Sequence, residues 1–379
     1  MRKYVLISDF CLTSNNRGTA ALSYGAISFL FEKGYINKGQ EVVILSFSKN
    51  PFKQSYRETK IVQGREITFY YLRSNSYEYK IFQKFSIVLP FTAFGRLTKQ
   101  IELVAALNGG DGFSDIYGTE MFLSRLFESN IAISLNIPLI FMPQTAGPFK
   151  NKDNFNNAIK ILKYAKDVYV RDLKFVKELK GNNIKYEVTK DLSAFMMPEA
   201  WDISIADNSI GINISGLAYS NKFKDLAGQF DCYPELIDKL IKRFQGLGLH
   251  VYLIPHAYNF ANPELDNDDM VACREAYNRL DNRENIHFVD KDLISPQVKY
   301  VISKMKFFCG TRMHANFAAI YSGVPVYGLA YSYKFAGAFE ANGLSKDQVC
   351  MINNIQRSEI PSIIDNIISF YNSSQSCKV

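Results

Sequence analysis

Short apolar runs recur along this chain, and between them lie stretches whose apolar residues return at helical spacing. In the first half the runs Lys3–Asp9, Glu41–Phe47, Ile101–Asn108, Pro138–Gln144, Asp167–Arg171 and Tyr186–Lys190 predict β-strands. In the second half Ser209–Ser215, His250–Pro255, Ile286–Val289, Phe307–Cys309 and Val324–Leu329 do the same. Helical periodicity fills Ala20–Glu32, Glu120–Asn136, Phe155–Tyr164 and Phe175–Lys180, and later Glu235–Phe244, Asp268–Leu280, Pro296–Lys304 and Met313–Tyr321. Strands that are apolar throughout and alternate with helices belong to parallel sheets covered on both faces. The pattern therefore predicts an α/β protein.

A chain of 379 residues exceeds the size of one comfortable core, so two Rossmann-like domains are expected. The strand pattern lapses at Pro198–Asp202, which places the domains at 1–197 and 205–355, facing each other across a cleft. A last helix over 358–371 lines up Ile360, Ile363, Ile364, Ile367 and Ile368 on one face. It is expected to return to the first domain.

Composition narrows the class. An apolar fraction of 47% with 21% charged residues excludes wholesale disorder. The six cysteines, at 11, 232, 273, 309, 350 and 377, form no Cys-x-x-Cys pair and suggest neither a disulfide framework nor a zinc site. No metal and no cofactor are expected. The opening apolar run is short and Asp9 interrupts it, so it reads as a first strand and not as a signal peptide. No uncharged stretch is long enough to span a bilayer, and a cytoplasmic location is expected. The net charge of +7 is uneven: residues 1–100 hold 15 Lys and Arg against 6 Asp and Glu. Such a basic part suits an anionic partner, although a modest surplus is also ordinary surface charge.

In open α/β sheets, ligands sit at the carboxyl ends of the strands. The strongest loop there is Phe307–Asn316, in which a buried strand ends at Gly310, Thr311 stands ready to cap a helix, and Arg312 and His314 fall in its first turn. A helix start already attracts anions. Arg312 adds a planar fork for phosphate or carboxylate, and His314 a group that transfers protons near neutral pH. An ion-paired arginine and a buried histidine are the plainer alternative. Beyond the next strand, Lys334 offers another cation, or an ordinary surface lysine. In the first half, Asn108–Asp115 is a glycine-rich turn in which Gly110 permits close approach and Asp111 or Asp115 offers a base for a hydroxyl. It fits neither the dinucleotide nor the P-loop pattern. Gln144 and Arg171 end strands, Arg171 being a second anion clamp or a structural ion pair. Asn16 and Gly18 open the first long helix, and His256 follows another strand. His250 and His287 sit at strand starts and read as structural.

Taken together, these motifs resemble the polysaccharide pyruvyl transferase family. The resemblance is carried by Gly310-Thr311-Arg312-Met313-His314-Ala315, then Gly323-Val324-Pro325 and Tyr331-Ser332-Tyr333-Lys334. Gly109–Gly112, Gln144–Phe149, Val170–Asp172 and Asp191–Phe195 support it in the expected order, whereas Thr19 stands where the family often has Asp. It implies a fold similar to the GT-B glycosyltransferases and a transfer of pyruvate from phosphoenolpyruvate to a sugar, giving a ketal on a bacterial-type polysaccharide or its lipid-linked precursor. Donor binding would fall to Arg312, Arg171 and Lys334, with Ser332 and Thr311 beside them. His314 would be the acid and Asp111 the acceptor's base. Asn16, Gly18, Gly110, Gln144 and His256 would line the acceptor side or the cleft.

Two other functions fit the same pattern: a GT-B glycosyltransferase using a nucleotide sugar, and a non-catalytic glycan-binding protein. The expected partners are phosphoenolpyruvate and a glycan, with no nucleic acid. Residues 80–99 mix Lys80, Lys84, Arg96 and Lys99 with four phenylalanines and no acid. They read either as a partly buried helix or as a peripheral contact with the inner face of a membrane.

Overall fold

A computed structural model describes residues 4–50, 54–331 and 334–376, with backbone only at 334 and 336. It divides into two compact units, one of Met1–Leu12 and Leu22–Met196, the other of Thr13–Ala21 and Met197–Val379.

The first unit holds β1 (Tyr4–Ile7), β2 (Glu41–Ser48), β3 (Tyr56–Val62), β4 (Arg65–Asn75), β5 (Ile101–Ala106), β6 (Leu139–Gln144), β7 (Asp167–Val170) and β8 (Glu187–Val188). Its helices are α1 (Arg17–Glu32), α2 (Ser76–Phe85), α3 (Ala93–Thr98), α4 (Thr119–Arg125), α5 (Phe127–Ser134), α6 (Lys152–Tyr164) and α7 (Val176–Gly181). The start of α1 belongs to the second unit. The described strands form one sheet in the order β3-β4-β2-β1-β5-β6-β7-β8, parallel except for β3 against β4. This β3–β4 hairpin was not expected from the sequence. Its strands mix charged and aromatic residues instead of running apolar, because β3 lies at the sheet edge. Gln63 and Gly64, both at positive φ, make its turn. The expected helix over 120–136 is two, α4 and α5, meeting at Leu126.

The second unit holds β9 (Ser209–Asn213), β10 (His250–Leu253), β11 (Ile286–Phe288), β12 (Phe307–Gly310), β13 (Val326–Ala330) and β14 (Val349–Met351). Around them lie α8 (Gly216–Ser220), α9 (Tyr233–Gln245), α10 (Asp269–Arg279), α11 (Ser295–Ser303), α12 (Met313–Ile320), α13 (Lys334–Ala341) and α14 (Ile360–Ser376). The sheet order is β11-β10-β9-β12-β13-β14, parallel throughout. Alternate residues feed two cores: Phe307 and Cys309 of β12 face one, Phe308 the other. Both faces are buried, which is why these strands read as unbroken apolar runs.

One expectation is corrected here. The C-terminal helix, expected to join the first domain, belongs to the second unit. The isoleucines of α14 join Leu236, Leu240 and Phe244 of α9 in a core of the second unit, and Tyr371 meets the ring of Phe307 at 5.5 Å. An isoleucine stripe demands an apolar partner but does not name one, and the stripe on α9 supplies it.

Candidate active site

In the second unit, the end of β9 supplies Asn213, and its side chain ties the loop after β12 to α10. Asn213 Oδ1 accepts the Arg312 backbone N–H at 2.8 Å, while its amide donates to the Ile254 carbonyl at 3.0 Å and to Asp269 at 3.3 Å. Asp269 is fully buried and accepts the backbone N–H groups of Gly216, His256 and Ala257 at 2.8, 3.1 and 2.9 Å. It also takes the Arg312 guanidinium from two nitrogens, Nε at 3.0 Å and Nη2 at 2.7 Å, and Asn267 accepts from Nη2 as well. Burial opposes the charge on Arg312, but Asp269 and then Tyr331 outweigh it, and its pKa is raised. The charge is fixed at every working pH, and so is the angle of the fork.

His314, half-buried in the first turn of α12, stands beside the start of α1. A Cβ on Gly18 would fall 2.6 Å from its Nδ1. The α1 start is held in turn by Arg17. The Arg17 guanidinium pairs with Asp292 at 2.7 Å, donates to the Leu293 carbonyl at 2.7 Å and lies 4.0 Å over the Tyr258 ring. The Arg17 N–H donates to the His256 carbonyl at 3.0 Å, and Asn16 Oδ1 accepts from Gly18 N–H at 3.0 Å. His256 is buried. Burial first, then the charges of His314, Arg312 and Arg17, push its imidazole well below the ordinary range. Asn16, Gly18, His256, Arg312 and His314, widely spaced in sequence, are thus gathered within one unit.

A cavity of about 210 Å³ lies against Arg312, but Glu264 and Asp268 are among its walls and His314 is not. Carboxylate walls repel an anion.

Thr311 does not cap α12. The N-cap is Arg312, and the buried Thr311 hydroxyl pairs with Tyr233 Oη at 2.7 Å. Gly310 is not at positive φ; what it supplies is room, since a Cβ there would meet the Asn316 side chain at 2.5 Å. Ser332 and the Lys334 side chain lie outside the described residues. His250 and His287 face each other at 3.0 Å at strand starts, away from these loops.

The first unit gathers a separate polar set at its strand ends. Arg171 Nη1 pairs with Asp191 and its Nε donates to Thr145 at 3.0 Å; a Cβ on Gly110 would lie 3.3 Å from Nη1. Asp111 accepts from Tyr117 Oη at 2.8 Å and adds its field at Arg171. Gln144 is buried, its amide donating to the Ala106 carbonyl at 2.7 Å. Asp115, the other carboxylate offered by this turn, is engaged differently. It accepts the N–H groups of Lys150 and Asn151 and the Asn154 amide, which outweigh burial and lower its pKa. Its oxygens hold the start of α6 together and are not left for a hydroxyl.

Residues unmarked by any motif complete these sets. Asp269 is one, its only sequence signal being an Asp pair at a helix start. Others are Asp9, exposed and 3.8 Å from the Arg125 guanidinium that donates to the Asn108 carbonyl, and Glu128, pushed up to about 8 by burial with the Asp9 charge adding to it.

Comparison with known proteins identifies the frame that carries these residues. The family model described as polysaccharide pyruvyl transferase matches residues 16–333. The chain belongs to the polysaccharide pyruvyl transferase family. The members of this family are enzymes of polysaccharide pyruvylation, and the match runs from Asn16 through Arg171 and His314. Among solved structures, the UDP-GlcNAc 2-epimerase of Methanocaldococcus jannaschii is similar with a TM-score of 0.52 at 9% identity, over 97% of this chain and 93% of that one. The Neisseria meningitidis UDP-GlcNAc 2-epimerase bound to UDP-GlcNAc gives 0.52 at 11% identity, over 99% and 93%. At such identities the likeness is one of fold, and this pyruvyl transferase family member has a GT-B-like fold of two parallel-sheet α/β units.

Proposed function

We propose that the protein transfers pyruvate from phosphoenolpyruvate to two hydroxyls of one sugar in a polysaccharide or its lipid-linked precursor, on the cytoplasmic face of a membrane. The observation that carries this reading is the imidazole and guanidinium pair at the head of α12, gathered in one unit with Asn16, Gly18 and His256. A three-carbon donor bearing a carboxylate and a phosphate suits such a place. In this reading Arg312 meets the donor with the part of its fork that Asp269 does not take, and Lys334 of the same unit is the further clamp.

In the first step protonated His314 delivers its proton to the methylene carbon of phosphoenolpyruvate, making the methyl group and leaving the neighbouring carbon electron-poor. One sugar hydroxyl bonds to that carbon and releases its proton to solvent. The carbon–oxygen bond to phosphate breaks with its electron pair on phosphate, the second hydroxyl closes the ring, and its proton leaves with phosphate. The first hydroxyl's proton returns to His314 through solvent. Each turnover then converts one donor and one diol into one ketal and one hydrogen phosphate.

The competing reading is transfer from a nucleotide sugar. Incubating the protein with phosphoenolpyruvate and candidate glycans, and following the ketal methyl signal by NMR, tests the proposal. A new methyl singlet with equimolar phosphate supports it; turnover of a nucleotide sugar, with no use of phosphoenolpyruvate, rejects it.

A further inference from the structure

We infer that the loop between α2 and α3 is a docking surface for an anionic lipid bilayer, an extension of the lipid-linked acceptor in the reading above. Three large apolar side chains stand out from the end of α2 through this loop: Phe85 is 59% exposed, Ile87 53% and Phe91 88%. Single exposed apolar residues are ordinary, but Phe85, Ile87 and Phe91 so close together on one connection are not. Phe82, Phe94 and Leu97 of the same helices are buried in the core of the first unit and Val88 of the connection packs against it, so the exposed side chains stand on a rooted segment.

The connection has a defined shape. Ser86 ends α2 in the left-handed region, and Thr92 caps α3 by accepting the Gly95 N–H at 3.0 Å. Arg96 Nη1 donates to the Phe91 carbonyl at 2.7 Å, and Lys84 Nζ lies 5.2 Å over the Phe85 ring. The cations Lys80, Lys84, Arg96 and Lys99 are all exposed, and no Asp or Glu occurs from residue 79 to residue 101. Exposed aromatic and aliphatic side chains on a segment whose charges are all lysine and arginine match the boundary of an anionic bilayer, where apolar groups enter and cations meet the headgroups. A protein partner is the weaker fit, because lysine is depleted in protein interfaces and three of this segment's four cations, Lys80, Lys84 and Lys99, are lysines.

The test uses the full chain without substrates, so its outcome is independent of the catalytic proposal. Co-sedimentation is measured with phosphatidylcholine vesicles, with and without phosphatidylglycerol. The wild-type protein should partition at least about tenfold more onto the anionic vesicles, less so as salt is added. The double variant Ile87→Asp/Phe91→Asp and the charge variant Lys84→Glu/Lys99→Glu should each lose about tenfold while keeping the wild-type circular dichroism. Wild-type protein that stays in the supernatant, or variants that sediment as well as wild type, would overturn the inference. A wild-type dimer made monomeric by Ile87→Asp/Phe91→Asp, with no vesicle binding, would overturn it too and give the surface to a second copy of the chain.

Discussion

Gly18 and His314 share a space that admits only one side chain: a Cβ at position 18 would stand 2.6 Å from the imidazole Nδ1 and 2.8 Å from Cβ and Cγ of His314. The backbone at the start of α1 is therefore the wall against which the imidazole rests. A methyl group there must push the ring off its position, and small displacements of a proton donor are costly. Gly18→Ala is expected to lower kcat by about 100-fold with the fold intact. Steady-state kinetics with circular dichroism check this; an unchanged kcat would remove Gly18 from any positioning role.

Asp269 holds Arg312 in the same sense, by a charge pair that water barely reaches. Breaking such a pair by altering one partner costs about 3–5 kcal/mol. Asp269→Asn should therefore destabilise the second unit by that order in chemical denaturation. Arg312→Lys, which keeps the charge but not the fork, should raise the donor KM by about tenfold. Equal stability and equal KM in these variants would mean that the pair is dispensable.

How much of this could be read from the chain differs by element. The Arg312–His314 block was legible because a strand, a glycine and a helix start are local signals. Asp269 was not: it meets Arg312 from 43 residues away, and nothing in the spacing announces the pairing. The β3–β4 hairpin escaped because an edge strand need not be apolar on either side. For α14 the stripe of isoleucines was plain, but the choice of surface depended on the complementary face of α9, a tertiary matter.

His256 makes stability depend on pH with a definite sign. Burial and its cationic neighbours lower its folded pKa, so the unfolded chain takes up the proton first. The contribution is complete above the unfolded value of about 6.5 and is lost as pH falls from there through the folded value. Denaturation midpoints measured downward from neutral pH should thus fall for wild type and fall less for His256→Gln. Parallel curves for the two proteins would contradict the assignment.

The central claim is that the imidazole at the head of α12 protonates the donor. The most direct measurement is the pyruvylation rate of His314→Ala beside its affinity for phosphoenolpyruvate. A loss of roughly 100- to 10,000-fold in kcat, with donor affinity changed only a few-fold, is the predicted result for a missing general acid. Turnover close to wild type in the folded variant would contradict it.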